Sequence, residues 1–152
     1  MCARGNGEDT GYLAERGAYI DMNEYRLTLP WPPSNNTYYR HGSRGNYISE
    51  NGKKYAALVK GTIQQEDLAL KLPQKLSVKI YASPPDNRTR DLDNVLKGLF
   101  DALTKAGFWV DDSQIDHLSI SRIAKRKGGG IRMQVRTLDD DSLLTWEDIC
   151  SG

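Results

Sequence analysis

The chain has 152 residues, which is enough for one domain with a moderate hydrophobic core and too few for two domains. Hydrophobic residues make up 38% and charged residues 27%, as in soluble globular proteins, and no apolar run is long enough to cross a membrane. The N-terminal segment lacks a basic start followed by an apolar core, so we expect no secretory signal and a cytoplasmic protein.

The net charge of +1 hides an uneven distribution of charge along the chain. Residues 1–22 hold two basic and four acidic side chains, and residues 138–152 hold five acidic side chains and no basic one. Residues 23–137 keep 19 basic against 11 acidic side chains, a net charge of +8. We expect an N-terminal extension that is flexible or partly ordered, a basic folded domain, and an acidic C-terminal tail over these three ranges. The basic domain suits a nucleic acid, although an ordinary solvated surface has the same composition.

The cysteines and histidines do not form a zinc-binding pattern. Cys2 and Cys150 lie at opposite ends of the chain, and His41 and His117 are isolated. Zinc sites need closely spaced cysteine and histidine ligands. We therefore expect two free thiols and no metal role for either histidine.

The first half of the domain begins with an alternating pattern. Tyr25, Leu27 and Leu29 alternate with polar residues, which predicts a half-buried strand that Pro30 ends. The sequence WPPSNNTYY, residues 31–39, contains adjacent prolines and turn-forming residues, so we expect an ordered loop without regular structure. Aromatic and aliphatic residues then flank the polar stretch RHGSRGN, which predicts a small hairpin.

Two helices are predicted from apolar residues spaced three and four apart. One extends from Glu50 to about Leu70, and the other covers residues 93–106, with Gly107 as its C-terminal cap. Between them, LSVKIYA places alternate apolar residues on one face and predicts a strand over 76–82.

The last predicted elements are two strands joined by the glycine-rich sequence KRKGGG. Leu118 and Ile120 alternate before that sequence, and Ile131, Met133 and Val135 alternate after it, which predicts a hairpin. Strands separated by helices predict an α+β fold: a single domain with a mixed β-sheet and two main helices packed on it.

The charged side chains concentrate around the second predicted helix. Asp91 lies just before this helix and Asp93 at its start, where the amide-rich N-terminus favours negative charge, and Lys97 follows one turn after Asp93. A short strand after the helix would return Asp111 and Asp112 beside its start. Because successive strand residues point to opposite faces, we expect only one of this pair to face the site.

Carboxylate ligands without nitrogen or sulphur select a hard cation such as Mg²⁺, or Mn²⁺ as a substitute. Such an ion suits phosphodiester hydrolysis because it lowers the pKa of its bound water, and Lys97 would add positive charge at the scissile phosphate. A plainer interpretation stays open at this point. Asp91 and Asp93 would then be helix caps, Asp111 and Asp112 a turn, and Asp101 a solvated or structural helix residue.

Two segments, LTLPWPPSNNTYYRH and RDLDNVLKGLFDALTKAGFWVDDSQI, resemble the RusA family of Holliday junction resolvases, small endonucleases associated with phages and prophages. The resemblance extends to the order of the elements and covers Tyr25 to Arg136. It implies a homodimeric, Mg²⁺-dependent endodeoxyribonuclease. Such an enzyme resolves four-way DNA junctions by paired symmetric nicks during DNA recombination and repair.

The resemblance also implies roles for individual residues. The family's essential, metal-binding aspartates correspond to Asp91, Asp93 and Asp112, and its important lysine corresponds to Lys97. The DNA-contacting arginine before the first aspartate corresponds to Arg90.

Three further positions follow from the same resemblance. Asn35 and Asn36 correspond to asparagines that lie near the active site in the family's fold, and we count them as DNA-binding candidates. Gly98 departs from the family at a helix position where a side chain is usual, which predicts a looser turn.

Further basic residues are candidates for phosphate contacts. Arg88 lies in the same segment as the aspartates. In and around the last predicted turn lie Arg122, Lys125, Arg126, Lys127, Arg132 and Arg136. These residues would contact the phosphates of a DNA arm, although an ordinary solvated turn carries similar charges. The alternative function is that of a non-catalytic protein that binds branched DNA, which the retention of the aspartates and lysine disfavours.

Overall fold

The computed structural model describes residues 24–139 and 143–152, so the predicted N-terminal extension and Cys2 lie outside the described residues. The strands are β1 Glu24–Leu29, β2 Tyr39–Gly42, β3 Gly45–Ile48, β4 Lys75–Ser83, β5 Ile115–Arg122 and β6 Gly130–Leu138. The helices are α1 Asn35–Tyr38, α2 Glu50–Gln65, α3 Leu96–Ala106 and α4 Trp146–Cys150, with 3₁₀ turns at Leu92–Val95 and Asp112–Gln114.

Four strands form one mixed sheet in the order β1, β6, β4 and β5. Strand β6 pairs antiparallel with β1 on one side and with β4 on the other, whereas β5 lies parallel to β4. On one face of the sheet, alternate apolar side chains of β4 are buried beneath α2 and α3, and the hairpin of β2 and β3 stands apart as a second small sheet. The predicted fold class, an α+β domain with two main helices on a mixed sheet, is confirmed.

The predicted hairpin between the last two strands is wrong. Strands β5 and β6 flank β4 on opposite sides, so that Ile80 of β4 is paired with both Ile120 and Met133. The connection between them crosses the end of β4, where Arg126 N–H donates to the carbonyl of Pro84 at 3.0 Å. Alternation identifies a strand but not its partner, because pairing depends on contacts distant in the sequence.

Three other predictions of local structure need correction. The loop over residues 31–39 contains helix α1, because the Ser34 side chain accepts a hydrogen bond from Thr37 N–H and so caps a short turn. Helix α2 ends at Gln65 and not near Leu70, since Asp67 adopts a positive φ of 58°. The predicted strand near residues 108–110 is reduced to a single parallel bridge between Leu72 and Trp109.

The C-terminal tail forms the short helix α4, capped by the side chain of Thr145. Its large hydrophobic side chains are exposed, Trp146 to 77%, and Cys150 carries a free, exposed thiol. None of the helices in the described ranges combines the length and the apolar character that crossing a lipid bilayer requires.

Candidate active site

The parallel strands β4 and β5 end side by side, and the segments that follow them carry most of the candidate residues. After β4 the chain passes through Asp86, Arg88 and Arg90 to Asp91, which precedes the 3₁₀ turn that opens α3. After β5 it passes through Lys125, on the way to β6. The sheet therefore gathers basic and acidic side chains at one of its ends.

Asp91 and Asp93 are not used as caps of α3. Asp91 occupies the capping position of the turn Leu92–Val95, but its side chain accepts no capping hydrogen bond from that fully described turn. The capping position of α3 itself belongs to Val95. Both aspartates are exposed at the surface. The capping interpretation therefore does not account for these carboxylates.

Asp111 and Asp112 have different roles although they are adjacent. The Asp111 side chain accepts from Ser113 N–H at 3.2 Å, and Gln114 Oε1 accepts from Asp111 N–H at 2.7 Å, which closes a capping box. These hydrogen bonds, first of all those from Ser113, lower the pKa of Asp111. Among the described residues, no hydrogen bond or ion pair engages the half-buried Asp112 carboxylate.

The carboxylates do not form a ready ligand set for a metal ion. Within residues 24–139 and 143–152, no three histidine, cysteine, aspartate or glutamate side chains are grouped as ligands of one ion. The chemistry of Asp91, Asp93 and Asp112 suits Mg²⁺, since all three supply oxygen. Their side chains, however, are not brought together around one point.

Lys97 extends along α3 toward Asp101. Its Nζ lies 3.3 Å from Asp101 Oδ2 and 5.3 Å from the centre of the Tyr39 ring. The same carboxyl oxygen accepts a hydrogen bond from the Tyr39 hydroxyl. Burial, then the negative charges of Asp112 and Asp111, raise the pKa of Asp101, so these carboxylates are electrostatic neighbours.

Sequence reasoning assigned Asp101 no part in the site. The only signal in the sequence was its spacing of four residues from Lys97, which places two side chains on the same helix face. Tyr39 carried no such signal, because it lies 62 residues away in the chain.

Asp86 is another residue that sequence reasoning missed. Its carboxylate accepts hydrogen bonds from Arg90 Nη1 at 2.6 Å and from Arg88 Nε at 3.2 Å, which holds its pKa well below the usual carboxyl range. Arg90 also lies over the Trp31 ring, 5.8 Å from its centre. Arg90 is therefore largely covered, whereas the Arg88 side chain is 80% exposed.

Two neighbouring cavities flank the Arg90–Asp91 segment. One, of about 300 Å³, is lined by Trp31, Pro32, Ser34, Thr89, Arg90, Asp91, Asn94 and Val95. The other, of about 360 Å³, is lined by Pro84, Asp86, Asn87, Arg88, Thr89, Arg90, Arg122, Ile123 and Lys125. We call this second cavity the basic cleft, because four cationic side chains and one carboxylate line it.

The other predicted DNA-binding residues lie around this region. Asn36 is exposed, and Asn35 has a buried Oδ1 without a hydrogen-bond partner among the described residues. Neither asparagine lines the two cavities, although the adjacent Ser34 lines the first. Arg126 and Lys127 are exposed on the connection from β5 to β6.

Residues 30–136 match the family model described as Endodeoxyribonuclease RusA. The chain belongs to the RusA family. The match spans the region from the end of β1 into β6 and includes all the candidate aspartates, Lys97 and the basic cleft. The family predicted by resemblance is therefore confirmed.

Relatives from phages and bacteria match over nearly their whole length. The crossover junction endodeoxyribonuclease of Enterobacteria phage 82 is 42% identical over 124 residues, 79% of this chain and 100% of the relative. That of Enterobacteria phage HK97 is 44% identical over 118 residues, 78% of this chain and 98% of the relative. The enzyme of that name from Escherichia coli strain K12 is 41% identical over 120 residues, 79% of this chain and 100% of the relative.

Proposed function

We propose that this RusA-family chain is a crossover junction endodeoxyribonuclease: it resolves Holliday junctions by hydrolysing phosphodiester bonds during DNA recombination and repair. The observation that carries the proposal is Asp91, whose carboxylate is not used as a cap. It lines the first cavity and directly follows Arg90, which lines both that cavity and the basic cleft. The names of relatives aligned over 98–100% of their length support the same reaction.

Mg²⁺ is the proposed cofactor, with Mn²⁺ as a substitute. Asp91, Asp93 and Asp112 are the proposed ligands, because their oxygen donors suit a hard cation. When bound, the ion supplies an activated water and offsets negative charge on the phosphate. Asp91 and Asp93 are exposed and Asp112 is half-buried.

The remaining groups of the site bind and orient the DNA. Lys97 places a positive charge near the acidic side chains, where a phosphate needs charge stabilisation. Arg88, Arg90 and Lys125 line the basic cleft, which is suited to a phosphate next to the cleaved one. Arg126 and Lys127 extend the positive surface along the connection from β5. Asn35 and Asn36 are proposed to contact the DNA beside Ser34.

We propose a homodimer with twofold symmetry, since paired cuts in strands of like polarity need two equivalent sites. The four-way junction is the proposed substrate. Because relatives come from bacteria and their phages, the proposed location is the cytoplasm of a bacterial or phage-infected cell.

A second function, the binding of branched DNA without cleavage, is favoured by one observation. The described residues hold no group of three ligands gathered for one metal ion. A protein that had lost catalysis would keep the basic cleft and bind junctions in the same way. Cleavage distinguishes the two functions.

The decisive experiment incubates the protein with a synthetic four-way junction and Mg²⁺, with a linear duplex of the same sequence as the substrate control. We expect paired, symmetric cuts in the junction. Asp93→Asn should abolish them while sparing or strengthening junction binding, because it removes negative charge near the phosphates. Asp67→Asn is the matched control, since asparagine tolerates the positive φ at that exposed position. Equal cutting by the wild type and Asp93→Asn contradicts the proposed site, and binding without cleavage in Mg²⁺ and Mn²⁺ supports the second function.

A further inference from the structure

Asp101 is not one of the aspartates that the family resemblance implies as essential, yet its carboxylate contacts both Tyr39 and Lys97. Its Oδ2 atom receives the Tyr39 hydroxyl and lies 3.3 Å from Lys97 Nζ. Asp101 is half-buried on α3, whereas the Lys97 side chain is 62% exposed. A partly buried carboxylate thus contacts the end of a solvent-exposed lysine.

The position of Tyr39 is set by its neighbour Tyr38. The Tyr38 ring is fully buried and lies against the backbone of α3 at Gly98, where an added Cβ would lie 2.7 Å from Tyr38 Cδ2. The rings of Tyr38 and Tyr39 pack at 4.8 Å between centres. Gly98, which the sequence predicted to loosen this turn, lies buried in α3 and makes room for the Tyr38 ring. Tyr38 in turn anchors the start of β2 against α3 and so places the Tyr39 hydroxyl on Asp101.

The Lys97 ammonium is held from two sides. The Asp101 carboxylate attracts it, and the Tyr39 ring lies 5.3 Å from Nζ, within the range of a cation–π interaction. An exposed lysine with several rotatable bonds otherwise samples many rotamers, and fixing it has an entropic cost. The two contacts reduce that cost before DNA arrives, which is how a charge is preorganised for catalysis.

We propose that Asp101, oriented by Tyr39, is a positioning residue that holds Lys97 for its action on the scissile phosphate. The inference rests on the proposed function, since it needs a cleavage reaction to act upon. Asp101 touches neither DNA nor metal in this role. Its effect passes through Lys97 alone, which distinguishes it from Asp91, Asp93 and Asp112 and from a residue that only stabilises the fold.

A double-mutant cycle tests whether the effect of Asp101 on cleavage passes through Lys97. Single-turnover cleavage rates and junction dissociation constants would be measured for the wild type, Asp101→Asn, Lys97→Ala and the double variant. We expect Lys97→Ala to slow cleavage on the order of a hundredfold, as for loss of a preorganised charge-stabilising group, and Asp101→Asn to slow it about tenfold. In the Lys97→Ala background, Asp101→Asn should change the rate by less than about twofold, because coupled residues are not additive. Junction affinity should change little in either background.

Tyr39→Phe is the second variant, and it keeps the ring that packs on Tyr38. It should slow cleavage several-fold in the wild type and leave the rate of Asp101→Asn unchanged, because the lost hydroxyl acts only on that carboxylate. Thermal unfolding of each variant checks that the fold is kept. If Asp101→Asn does not fold, Tyr39→Phe is measured in the Lys97→Ala background instead. The inference then requires that Tyr39→Phe leave the cleavage rate unchanged in that background.

Three results would overturn the inference. Independent effects of Asp101→Asn and Lys97→Ala would show that Asp101 acts by another route. Complete loss of cleavage in Asp101→Asn, as expected for Asp93→Asn, would make it a ligand of the ion. Faster cleavage by Asp101→Asn would show that Asp101 holds Lys97 back from the scissile phosphate. If the wild type itself does not cut junctions, the proposed function fails first, and that result is separate from these three.

Discussion

Asp86 holds Arg90 in place at the mouth of the basic cleft, with Arg90 Nη1 donating to Asp86 Oδ1 at 2.6 Å. Arg90 in turn lies over the Trp31 ring and accepts, through its backbone carbonyl, a hydrogen bond from the Arg122 guanidinium. Arg90, the residue just before Asp91, is thus held by contacts with Asp86, Trp31 and Arg122. We expect the position of Asp91 to depend on this restraint.

Replacing Asp86 with Asn should separate DNA binding from DNA cleavage. The variant removes a negative charge beside Arg88 and Arg90, so we expect tighter binding to any duplex, most evident at low salt. Cleavage of the junction should slow, because Arg90 loses a charge-assisted hydrogen bond and the Asp91 segment becomes less well positioned. Binding titrations on duplex and junction, together with single-turnover rates, measure both effects. Unchanged cleavage with tighter binding would show that Asp91 is positioned without Asp86.

Acid should weaken the fold through the same carboxylate. The pKa of Asp86 is lowered in the folded protein, first by the hydrogen bond from Arg90, so its contribution to stability is present above the unfolded-state pKa and is lost as pH falls through the folded value. We expect the free energy of unfolding to fall as the pH drops below about 4, the ordinary pKa of an aspartate. Asp86→Asn should show a weaker dependence over that range. Denaturant titrations at successive pH values measure it, and identical pH profiles would contradict the assignment.

The two adjacent aspartates should respond in opposite ways to substitution. Asp111→Ala removes the cap of the 3₁₀ turn and should lower the free energy of unfolding, with much of the cleavage kept. Asp112→Asn should abolish cleavage and change stability by less than about 0.5 kcal/mol, as is usual for substitutions without a structural role. Denaturant unfolding and junction cleavage would be measured on both variants. Loss of cleavage in Asp111→Ala with retention in Asp112→Asn would reverse the assignment.

The glycine in α3 should be intolerant of even one methyl group. Gly98→Ala forces a Cβ to within 2.7 Å of the buried Tyr38 ring, and overpacking of this kind costs about 1–3 kcal/mol of stability. Gly61→Ala is the matched control, because nothing lies within 4 Å of a Cβ added there in α2. That variant should gain about 0.5–1 kcal/mol from a better helix former. Equal stability changes in the two variants would show that Tyr38 has space to move.

Salt dependence should identify the phosphate contacts of the basic cleft. Removing one contact reduces the slope of log affinity against log salt by roughly 0.9. We expect Lys125→Gln to show this reduction, and Lys60→Gln, an exposed residue of α2 that lines neither cavity, to keep the wild-type slope. Binding isotherms on an uncut junction in Ca²⁺ at several salt concentrations measure it. An unchanged slope for Lys125→Gln would exclude that residue from the interface.

Local patterns in the sequence were sufficient for the type of most elements. Alternation identified β1, β4 and β6, and spacing of three and four identified α2 and α3, because these periods follow from the geometry of the backbone itself. The RDLDN and DDSQI segments also led to the family, since they belong to the longer segment on which the resemblance rests, and the family match over residues 30–136 contains both. The acidic candidates and Lys97 could therefore be identified from the amino-acid sequence alone.

Strand pairing and side-chain partnership were decided only by the tertiary structure. The hairpin predicted for β5 and β6 failed because β4 lies between them, and nothing in either strand's own pattern records that neighbour. Tyr39 and Asp101 meet across 62 residues, through the packing of Tyr38 on Gly98. The order of amino acids is enough to specify which side chains carry charge and which face of each helix is apolar. Packing decided which of those charges meet, because long-range contacts arise from burial of the whole core and not from local propensity.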